Sequence, residues 1–250
     1  MIDSLISIIM PAYRCEKTVE ESVRSIQAQT YGNWELIIVD DGSPDNTPAV
    51  LARLAAEDSR IRVITLEKNE GVASARNHAA EAASGDWIAF LDSDDIWLPE
   101  KLDRQLSLAE ETGAQFLYTG AACINEHSQK TGREFSVPRV VTYRSLLYST
   151  DIICSTVVMR KEFFLRHPME RSDLHEDYIC WLSILREGLT AYGIAEPLIL
   201  YRITESSKSG NKLKSAAMMW RTYQHIGLNP LHAAWCFINY GIHGVLRYWL

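Results

Sequence analysis

The sequence has few cysteines, and none of them forms a recognisable metal or redox pattern. Five cysteines are spread along the chain without a C-x-x-C pair. Such an odd, scattered set argues against a disulfide framework and a zinc site, so we expect a reducing, cytoplasmic environment. Residues 1–10 contain no basic region and their apolar run stops at Pro11, which argues against a secretory signal peptide.

Glycine-rich phosphate-binding motifs are also missing. The first apolar run is followed by Pro11, Ala12, Tyr13 and Arg14, with no glycine where a dinucleotide-binding G-x-G-x-x-G motif would need one. No Walker P-loop is present either. A bound nucleotide would therefore need a carboxylate for its base, and a metal with arginine for its phosphates.

Acidic residues are absent from the C-terminal part of the sequence. The whole chain has a formal net charge of -7, yet residues 206–250 contain five basic residues and no Asp or Glu. We therefore predict a catalytic domain over residues 1–205 and a basic, aromatic-rich helical extension over residues 206–250. With an acidic body, no nucleic-acid partner is expected.

A helix over residues 231–249 would carry an apolar stripe along one side. The stripe would consist of Leu231, Trp235, Ile238, Ile242, Val245 and Trp249. Two glycines and a polar stripe argue against a membrane-spanning helix, whereas a broad apolar face near basic residues suits an anionic membrane surface. The alternative is a helix packed on the domain or on a second subunit of a homodimer.

Alternating apolar runs and helical patterns predict an α/β fold. The predicted strands cover residues 5–10, 34–39, 61–66, 87–91, 115–123 and 155–160, and the predicted helices cover residues 16–29, 45–57, 71–83 and 176–187. This order is typical of a mostly parallel central sheet with helices on both sides, which is Rossmann-like.

Three carboxylates follow the predicted strand 87–91 within four positions. They are Asp92, Asp94 and Asp95, with Ser93 between them. Parallel sheets bind ligands beyond the carboxyl ends of their strands, and crowded carboxylates favour a divalent cation with oxygen ligands. A polar turn or a helix cap is the alternative interpretation.

Several linked segments carry a family resemblance. They are Ser7 to Tyr13, Ser25 to Thr30, Glu35 to Ser43, Asn69 to Asn77, the cluster at Asp92, and Glu176-Asp177 followed by Trp181. Together, in this order, they resemble the inverting glycosyltransferases of family 2, which have the GT-A fold. The resemblance spans residues 5 to about 209.

The resemblance implies a site for a UDP-sugar donor. In it, Asp41 contacts uracil with Pro11 and Tyr13 nearby, because a carboxylate accepts from the imide N–H that cytosine lacks. Arg76 approaches the diphosphate, and Asp92 with Ser93 holds the ribose or the donor sugar. The alternatives are a turn with a helix cap for Asp41 and a surface salt bridge for Arg76.

The resemblance also implies a metal ligand and a general base. Asp94 would hold Mn2+ or Mg2+, whereas Asp95 is expected to cap the next helix. Asp177 would act as the base with Glu176 in support. Trp181 is expected either to stack on the acceptor sugar or to belong to the core, and His175 is expected to be structural.

A loop over Tyr201 to Ser209 resembles the family segment that closes over the donor. Thr204 replaces the family histidine, so Arg202, Lys208 or Lys212 would supply the phosphate contact instead. The sequence has no Gln-x-x-Arg-Trp motif and no set of spanning helices, which implies addition of a single sugar rather than processive synthesis. The implied acceptor is a saccharide on a lipid diphosphate, as in bacterial O-antigen, capsule or teichuronic-acid assembly.

Two other classes of protein fit parts of the pattern. A sugar-nucleotide nucleotidyltransferase shares the α/β layout and the metal, but usually has a glycine-rich loop after its first strand. A non-catalytic sugar-nucleotide-binding protein would keep Asp41 and Arg76 without needing Glu176 and Asp177.

Overall fold

The computed structural model describes residues 4–203 and 212–249, with side chains described in the second range only for residues 215–242. Within these residues the chain forms a mixed sheet with helices on both faces. The strands are β1 Ile6–Ala12, β2 Trp34–Asp40, β3 Ile61–Thr65, β4 Trp87–Phe90, β5 Ile96–Trp97, β6 Phe116–Ile124, β7 Lys130–Phe135, β8 Val140–Val141, β9 Val158–Arg160 and β10 Ala191–Arg202.

The helices alternate with the strands in the first half and become consecutive at the C-terminal end. They are α1 Val19–Gln27, α2 Thr47–Glu57, α3 Val72–Glu81, α4 Lys101–Thr112, α5 Tyr143–Leu146, α6 Lys161–Arg166, α7 Glu176–Arg186, α8 Lys212–His225 and α9 Pro230–Trp249, with a 3-10 turn at Cys154–Thr156. The α/β prediction is confirmed, and the predicted elements of residues 5–124 match observed ones to within a few residues.

The sheet has the order β3-β2-β1-β4-β9-β6-β10-β5. The first four strands are parallel, as predicted, whereas β9 is antiparallel to both β4 and β6. The carboxyl ends of β1, β2 and β4 therefore meet at one edge of the sheet. Strand β10 was missed in the sequence: Tyr201 and Arg202 were expected in a loop but end this strand, which pairs with β6.

Alternate residues of the buried strands contribute to two hydrophobic clusters, one on each face of the sheet. Ile9 and Ile37 belong to one cluster, and Ile8 and Ile38 to the other. This alternation follows from the two-residue period of a strand, whose side chains point to opposite faces in turn.

Helices α8 and α9 pack against the cluster that contains Ile9. Met219, Tyr223, Ala233 and Cys236 are buried members of it. The Tyr223 hydroxyl also donates to the Leu147 carbonyl at 2.8 Å. The boundary at residue 205 lies outside the described residues, so the division into two domains stays a prediction.

The opposite face of α9 is open to solvent. Leu231, Trp235, Ile238 and Ile242 are 86%, 60%, 57% and 53% exposed. The predicted helix is confirmed, and these four members of the predicted stripe do not pack on the domain; the side chains of Val245 and Trp249 are not described. Among the described residues, no helix has the length and apolarity needed to cross a membrane.

Candidate active site

The site begins where β1 and β2 end side by side. Ala12 is paired with Asp40 in the parallel ladder, and the Asp41 amide donates to the Ala12 carbonyl at 2.8 Å. Gly42 then turns the chain with φ at +67°, and a Cβ there would lie 2.9 Å from the Lys68 carbonyl carbon. A residue with a side chain would be strained at this position.

Asp41 is 3% exposed and holds the segment before α3 in place. Its carboxylate accepts from the amides of Glu70 and Gly71 at 2.7 and 2.9 Å. Neighbouring Asp40 is fully buried, and its Oδ2 atom has no hydrogen-bond partner among the described residues. Both acids are therefore fixed at the strand end, and the predicted contact of Asp41 with uracil stays a prediction.

Tyr13 provides the open surface beside these acids. Its side chain is 42% exposed, whereas Pro11 is buried inside β1. Arg14 follows with φ at +51°, which places its guanidinium 5.3 Å from the centre of the Tyr13 ring. Tyr13 can stack on a base, but Pro11 offers little surface for a contact.

Arg76 lies beneath the site and pairs with two carboxylates. It is 3% exposed, with its guanidinium 2.6 Å from Asp92 and 3.1 Å from Glu176. The surface salt bridge considered as an alternative is wrong, because Arg76 and its partner Glu176 are buried. The arginine joins the acidic turn after β4 to the start of α7, and its predicted approach to a diphosphate stays a prediction.

The acidic residues after β4 have different surroundings. Asp92 is partly exposed and binds Arg76, Ser93 is partly exposed, and Asp94 is exposed. Desolvation in the cleft and the Asp92 carboxylate raise the pKa of Asp94 to about 6. The predicted metal contact of Asp94 stays a prediction.

Asp95 does not cap α4, contrary to the sequence prediction. It is 1% exposed, and its carboxylate accepts from the Ser155 hydroxyl at 2.6 Å and from the Arg202 amide at 2.9 Å. The residue before α4 is Glu100, and no side chain caps this helix. Asp95 instead connects the acidic turn to distant parts of the chain.

Arg202 was predicted to contact the donor phosphates, but its guanidinium is used within the protein. Nε donates to the Asp94 carbonyl at 2.7 Å, Nη1 donates to the Asn125 carbonyl at 3.0 Å, and Nη2 donates to Glu21 at 2.7 Å. At 4% exposure Arg202 has no free face for a phosphate, so the prediction is wrong for this structure. Thr204 and Lys208, and the side chain of Lys212, lie outside what the structure describes.

Glu176 and Asp177 form the first turn of α7, which Arg76 links to the acidic turn. Glu176 is 6% exposed and bound to Arg76, whereas Asp177 is partly exposed and its Oδ1 accepts from the Tyr178 amide at 2.7 Å. Burial and the neighbouring Glu176 carboxylate raise the pKa of Asp177. Of the two, Asp177 is the one suited to exchange a proton.

Trp181 was considered as a platform for the acceptor sugar, and the structure excludes this role. It is fully buried, with ring centroids 5.5 Å from Phe90 and 5.3 Å from Phe116. Its position one turn along α7 faces the core because α7 lies with that side on the sheet. His175 precedes the helix, and its Nε2 is buried with no partner among the described residues.

Sequence reasoning missed two residues that interact with the acidic turn, one directly and one through Arg202. Ser155 lies in the 3-10 turn Cys154–Thr156, accepts from the Asp92 amide and donates to Asp95. Glu21 lies on α1 and binds Arg202. Neither belongs to a motif, and both are far from the turn in sequence, so nothing local could have indicated them.

Solved structures share this fold. The chain aligns with a crystal structure of Staphylococcus aureus TarS, residues 1–349, in complex with UDP-GlcNAc. The TM-score is 0.72 at 20% identity, and the alignment covers 94% of this chain and 71% of that one. The likeness shows that the chain has a GT-A-like fold.

The family follows from sequence comparison. The model described as "Glycosyl transferase family 2" matches residues 7–167, so the chain belongs to glycosyltransferase family 2. The predicted family and enzyme class are confirmed, and the rival interpretations as a nucleotidyltransferase or a non-catalytic binding protein are set aside. Glu176 and Asp177 lie beyond the matched residues.

Several relatives match nearly the whole chain. "UDP-Glc:alpha-D-GlcNAc-diphosphoundecaprenol beta-1,3-glucosyltransferase WfgD" of Escherichia coli is 40% identical over 99% of this chain and 96% of its own length. "Putative teichuronic acid biosynthesis glycosyltransferase TuaG" of Bacillus subtilis is 38% identical over 97% of each chain.

Proposed function

We propose that the chain transfers one sugar, with inversion, from a UDP-sugar to a hydroxyl of a saccharide held on a lipid diphosphate. The observation that carries the proposal is the buried link from Asp92 through Arg76 to Glu176. It joins the acidic turn, where a donor would lie, to the first turn of α7, where a base would act. Both halves of a transfer site are thereby brought to one cleft.

The reaction assigns a distinct task to Asp177. Its carboxylate takes the proton of the acceptor hydroxyl while that oxygen forms a bond to the anomeric carbon of the donor. The bond from the anomeric carbon to UDP breaks, and UDP leaves with the electron pair. Attack from the side opposite UDP inverts the configuration, and a correctly placed base contributes about 10²- to 10⁴-fold to the rate.

Glu176 and Arg76 support this base through their charges. Arg76 neutralises Glu176, and its positive charge also lowers the pKa of Asp177 against the effect of burial. Without this cation, the adjacent carboxylates would disfavour ionisation of both. The base is therefore kept in its ionised form over a wider pH range.

The residues present fit a divalent cation bound together with a diphosphate. Among the described residues no three His, Cys, Asp or Glu side chains form a closed metal site. Magnesium and manganese at phosphate sites need only one or two carboxylates, and exposed Asp94 would supply one. When bound, the ion would neutralise charge on the departing UDP.

Recognition of uracil is proposed for the ends of β1 and β2. Tyr13 would stack on the base, and Asp41 would accept from the imide N–H with a lone pair that its two backbone donors leave free. Two similar proteins support a uridine nucleotide as donor: TarS has been solved in complex with UDP-GlcNAc, and the name of WfgD specifies UDP-Glc.

The acceptor is proposed by likeness to WfgD, whose name specifies a saccharide on diphosphoundecaprenol. Such a lipid places the acceptor at a membrane surface. The exposed apolar side of α9, with Leu231 and Trp235 among its members, would bring the enzyme to the cytoplasmic face of that membrane. Anionic lipid at that surface would also attract residues 206–250, which contain basic residues and no Asp or Glu.

A single substitution separates catalysis from binding. We expect Asp177→Asn to lower the release of UDP from the preferred UDP-sugar by about 10²- to 10⁴-fold, because the base is lost. Binding of UDP with Mn2+ should stay unchanged. The measurement is UDP release over a panel of UDP-sugars, with lipid-diphosphate-linked GlcNAc as acceptor, GDP-sugars as controls, and EDTA to remove the metal.

The possible results lead to different conclusions. Metal-dependent turnover of one UDP-sugar that Asp177→Asn abolishes supports the proposal and identifies the donor. Loss of UDP binding in the same variant would show that Asp177 supports the donor site rather than the proton transfer. Absence of metal-dependent UDP binding by the unaltered protein would refute the donor assignment.

A further inference from the structure

Three buried polar residues surround the acidic turn without belonging to the proposed reaction. Ser155, Asp95 and Arg202, named here the turn anchor, are 0%, 1% and 4% exposed. They come from three separate parts of the chain: the 3-10 turn before β9, the end of the acidic turn, and the last residue of β10. Buried polar groups are stable only when they are hydrogen-bonded, so their contacts define what they hold.

The turn anchor makes four hydrogen bonds at the acidic turn. The Ser155 hydroxyl accepts from the Asp92 amide at 3.1 Å and donates to Asp95 Oδ2 at 2.6 Å. Arg202 donates from its amide to Asp95 Oδ1 at 2.9 Å and from Nε to the Asp94 carbonyl at 2.7 Å. The backbone is thus held at the residue before Ser93 and again at the residue after it.

The far side of Arg202 fixes the turn to the rest of the fold. Its guanidinium donates to Glu21 on α1, to the Asn125 carbonyl at the end of β6, and to the Ser128 hydroxyl at 3.1 Å. The arginine therefore spans from the acidic turn to α1 and to the β6–β7 connection. Its own side chain is 2% exposed, so it is shielded from solvent and from any phosphate.

These contacts indicate that the turn anchor holds the backbone of the acidic turn and leaves the Asp94 carboxylate available to a ligand. The anchor binds the Asp92 amide and the Asp94 carbonyl and makes no hydrogen bond to the Asp94 carboxylate; Asp94 is exposed and Asp92 is partly exposed. A metal-binding carboxylate works only when its backbone is fixed, because a small displacement changes the coordination geometry.

We propose that Ser155, Asp95 and Arg202 are positioning residues that fix the acidic turn for the diphosphate and its divalent cation. The proposal rests on the proposed function, since it requires UDP and a cation at Asp94. None of the three touches the reacting atoms. Their loss weakens binding of the metal with UDP and leaves the base at Asp177 in place.

The chain offers a matched control for Ser155. Ser7, on β1, is also fully buried; its hydroxyl accepts from the Gly85 amide at 2.8 Å and donates to Glu35 at 2.6 Å. Each serine thus bridges one amide and one carboxylate. Ser7 pairs with Glu35 and Ile88 near the starts of β2 and β4, away from the acidic turn.

The experiment compares Ser155→Ala with Ser7→Ala in the full chain. Calorimetric titration of UDP in the presence of Mn2+, and of Mn2+ in the presence of UDP, measures the two dissociation constants. We expect Ser155→Ala to weaken both by about 10-fold, the lower end of the effect of removing residues that orient metal ligands. Ser7→Ala should leave both constants unchanged, while thermal unfolding reports the stability lost by each variant.

Each outcome either supports or overturns the role of the turn anchor. Weaker binding in Ser155→Ala alone supports the proposal. Equal binding in both variants and in the unaltered protein overturns this inference and leaves the proposed function intact. An equal loss of binding in both variants also overturns this inference, because it would reflect destabilisation only. Failure of the unaltered protein to bind UDP with Mn2+ overturns the proposed function and this inference with it.

Discussion

Glu176 and Asp177 are adjacent in sequence, yet their surroundings give them different chemistry. Arg76 pairs with Glu176 at 3.1 Å, whereas Asp177 lies at the cleft with part of its side chain exposed. Burial and the charge of Glu176 both raise the pKa of Asp177. A base must be ionised to accept a proton, so activity should fall as the pH drops through this raised pKa.

Removing the charge of Glu176 should shift the pH range over which activity falls on the acidic side. Glu176→Gln keeps an oxygen acceptor for Arg76 but removes the repulsion that raises the pKa of Asp177, so the acidic limb of kcat/KM should shift to lower pH. Glu187→Gln is the control, since Glu187 follows the other end of α7 and also pairs with an arginine, Arg166. An unmoved limb in Glu176→Gln would argue against Asp177 as the titrating base.

Lys101 is a second residue whose burial has a measurable consequence. It is fully buried, with its ammonium nitrogen 2.8 Å from Gln105 and 4.0 Å from the centre of the Trp97 ring. Burial lowers the pKa of Lys101 well below its usual range. An unfolded lysine, with a pKa of about 10.4, takes up a proton that the folded state resists, so Lys101 destabilises the fold increasingly as the pH falls from that value.

Replacing this lysine should therefore stabilise the protein. We expect Lys101→Met to raise the free energy of unfolding by about 1–3 kcal/mol at neutral pH. The substitution replaces a buried amine, which is protonated in water at this pH, by an apolar side chain of similar length. The gain should shrink toward pH values of about 10, where the unfolded lysine is also neutral. Urea unfolding at both pH values measures it, with exposed Lys130→Met as the control; a loss of stability at neutral pH would contradict the prediction.

At the scale of elements, α9 has two sides with different partners. Ala233 and Cys236 are buried against the body of the protein, while Trp235 and Ile238 are 60% and 57% exposed. An exposed apolar side on a helix indicates an interaction surface. The absence of Asp and Glu from residues 206–250 favours an anionic lipid surface for this side.

Charged substitutions on α9 should reduce membrane binding. We expect Trp235→Glu and Ile238→Glu each to weaken binding to vesicles of phosphatidylcholine and phosphatidylglycerol by about tenfold or more, since each removes a large apolar side chain from the contact. Co-sedimentation of the full chain with vesicles is the measurement. Leu165→Glu is the control, because Leu165 is 45% exposed on α6.

The alternative partner for α9 gives a different result. If its apolar side joins two copies of the chain, Trp235→Glu will change the molecular mass measured by light scattering without vesicles. An unchanged vesicle affinity in both α9 variants would contradict a membrane role for this helix.

At the scale of the whole molecule, α8 and α9 share a core with the sheet. Met219, Tyr223, Ala233 and Cys236 belong to the same buried cluster as Ile9 and Ile37. Packing of this kind couples the stability of the C-terminal helices to that of the sheet. It bears on the predicted division at residue 205.

We expect one unfolding transition for the full chain. Tryptophan fluorescence and far-ultraviolet circular dichroism should give the same midpoint in urea, since the helices and the sheet unfold together. A chain ending at residue 205 should unfold at lower urea, because the buried contacts of α8 and α9 are lost. Two separate transitions in the full chain would instead support an independent C-terminal domain.

The strand ends of the site could be predicted from the sequence, but the surroundings of its arginines could not. Asp41, Asp92 and Asp94 directly follow apolar runs, and a parallel sheet brings such positions to one edge. Arg76 and Arg202 also stand out in the sequence, yet there both are expected at the donor phosphates. Their observed partners are separated from them by up to 100 and 181 positions.

The dependence on distant partners also explains why the sequence predicted a helix cap for Asp95 and left the role of Trp181 open. Trp181 follows Glu176 and Asp177 by one helical turn, so its spacing is compatible with either the candidate site or the core. Asp95 precedes a helix by a few residues, which is compatible with a cap. Which side of α7 faces the core depends on its packing against Phe90 of β4 and Phe116 of β6. What lies beside Asp95 depends on Ser155 and on Arg202, which come from distant parts of the chain.

The sequence by itself determined the α/β order of elements, the acidic strand ends and the resemblance to family 2, because these depend on local periodicity and on contiguous motifs. Only the tertiary structure decided that Arg76 joins Asp92 to Glu176, that Arg202 supports the acidic turn, and that one side of α9 stays open. Burial and pairing of charges depend on which elements become neighbours. That is set by the order of strands in the sheet and by the packing of helices on it, both of which involve the whole chain.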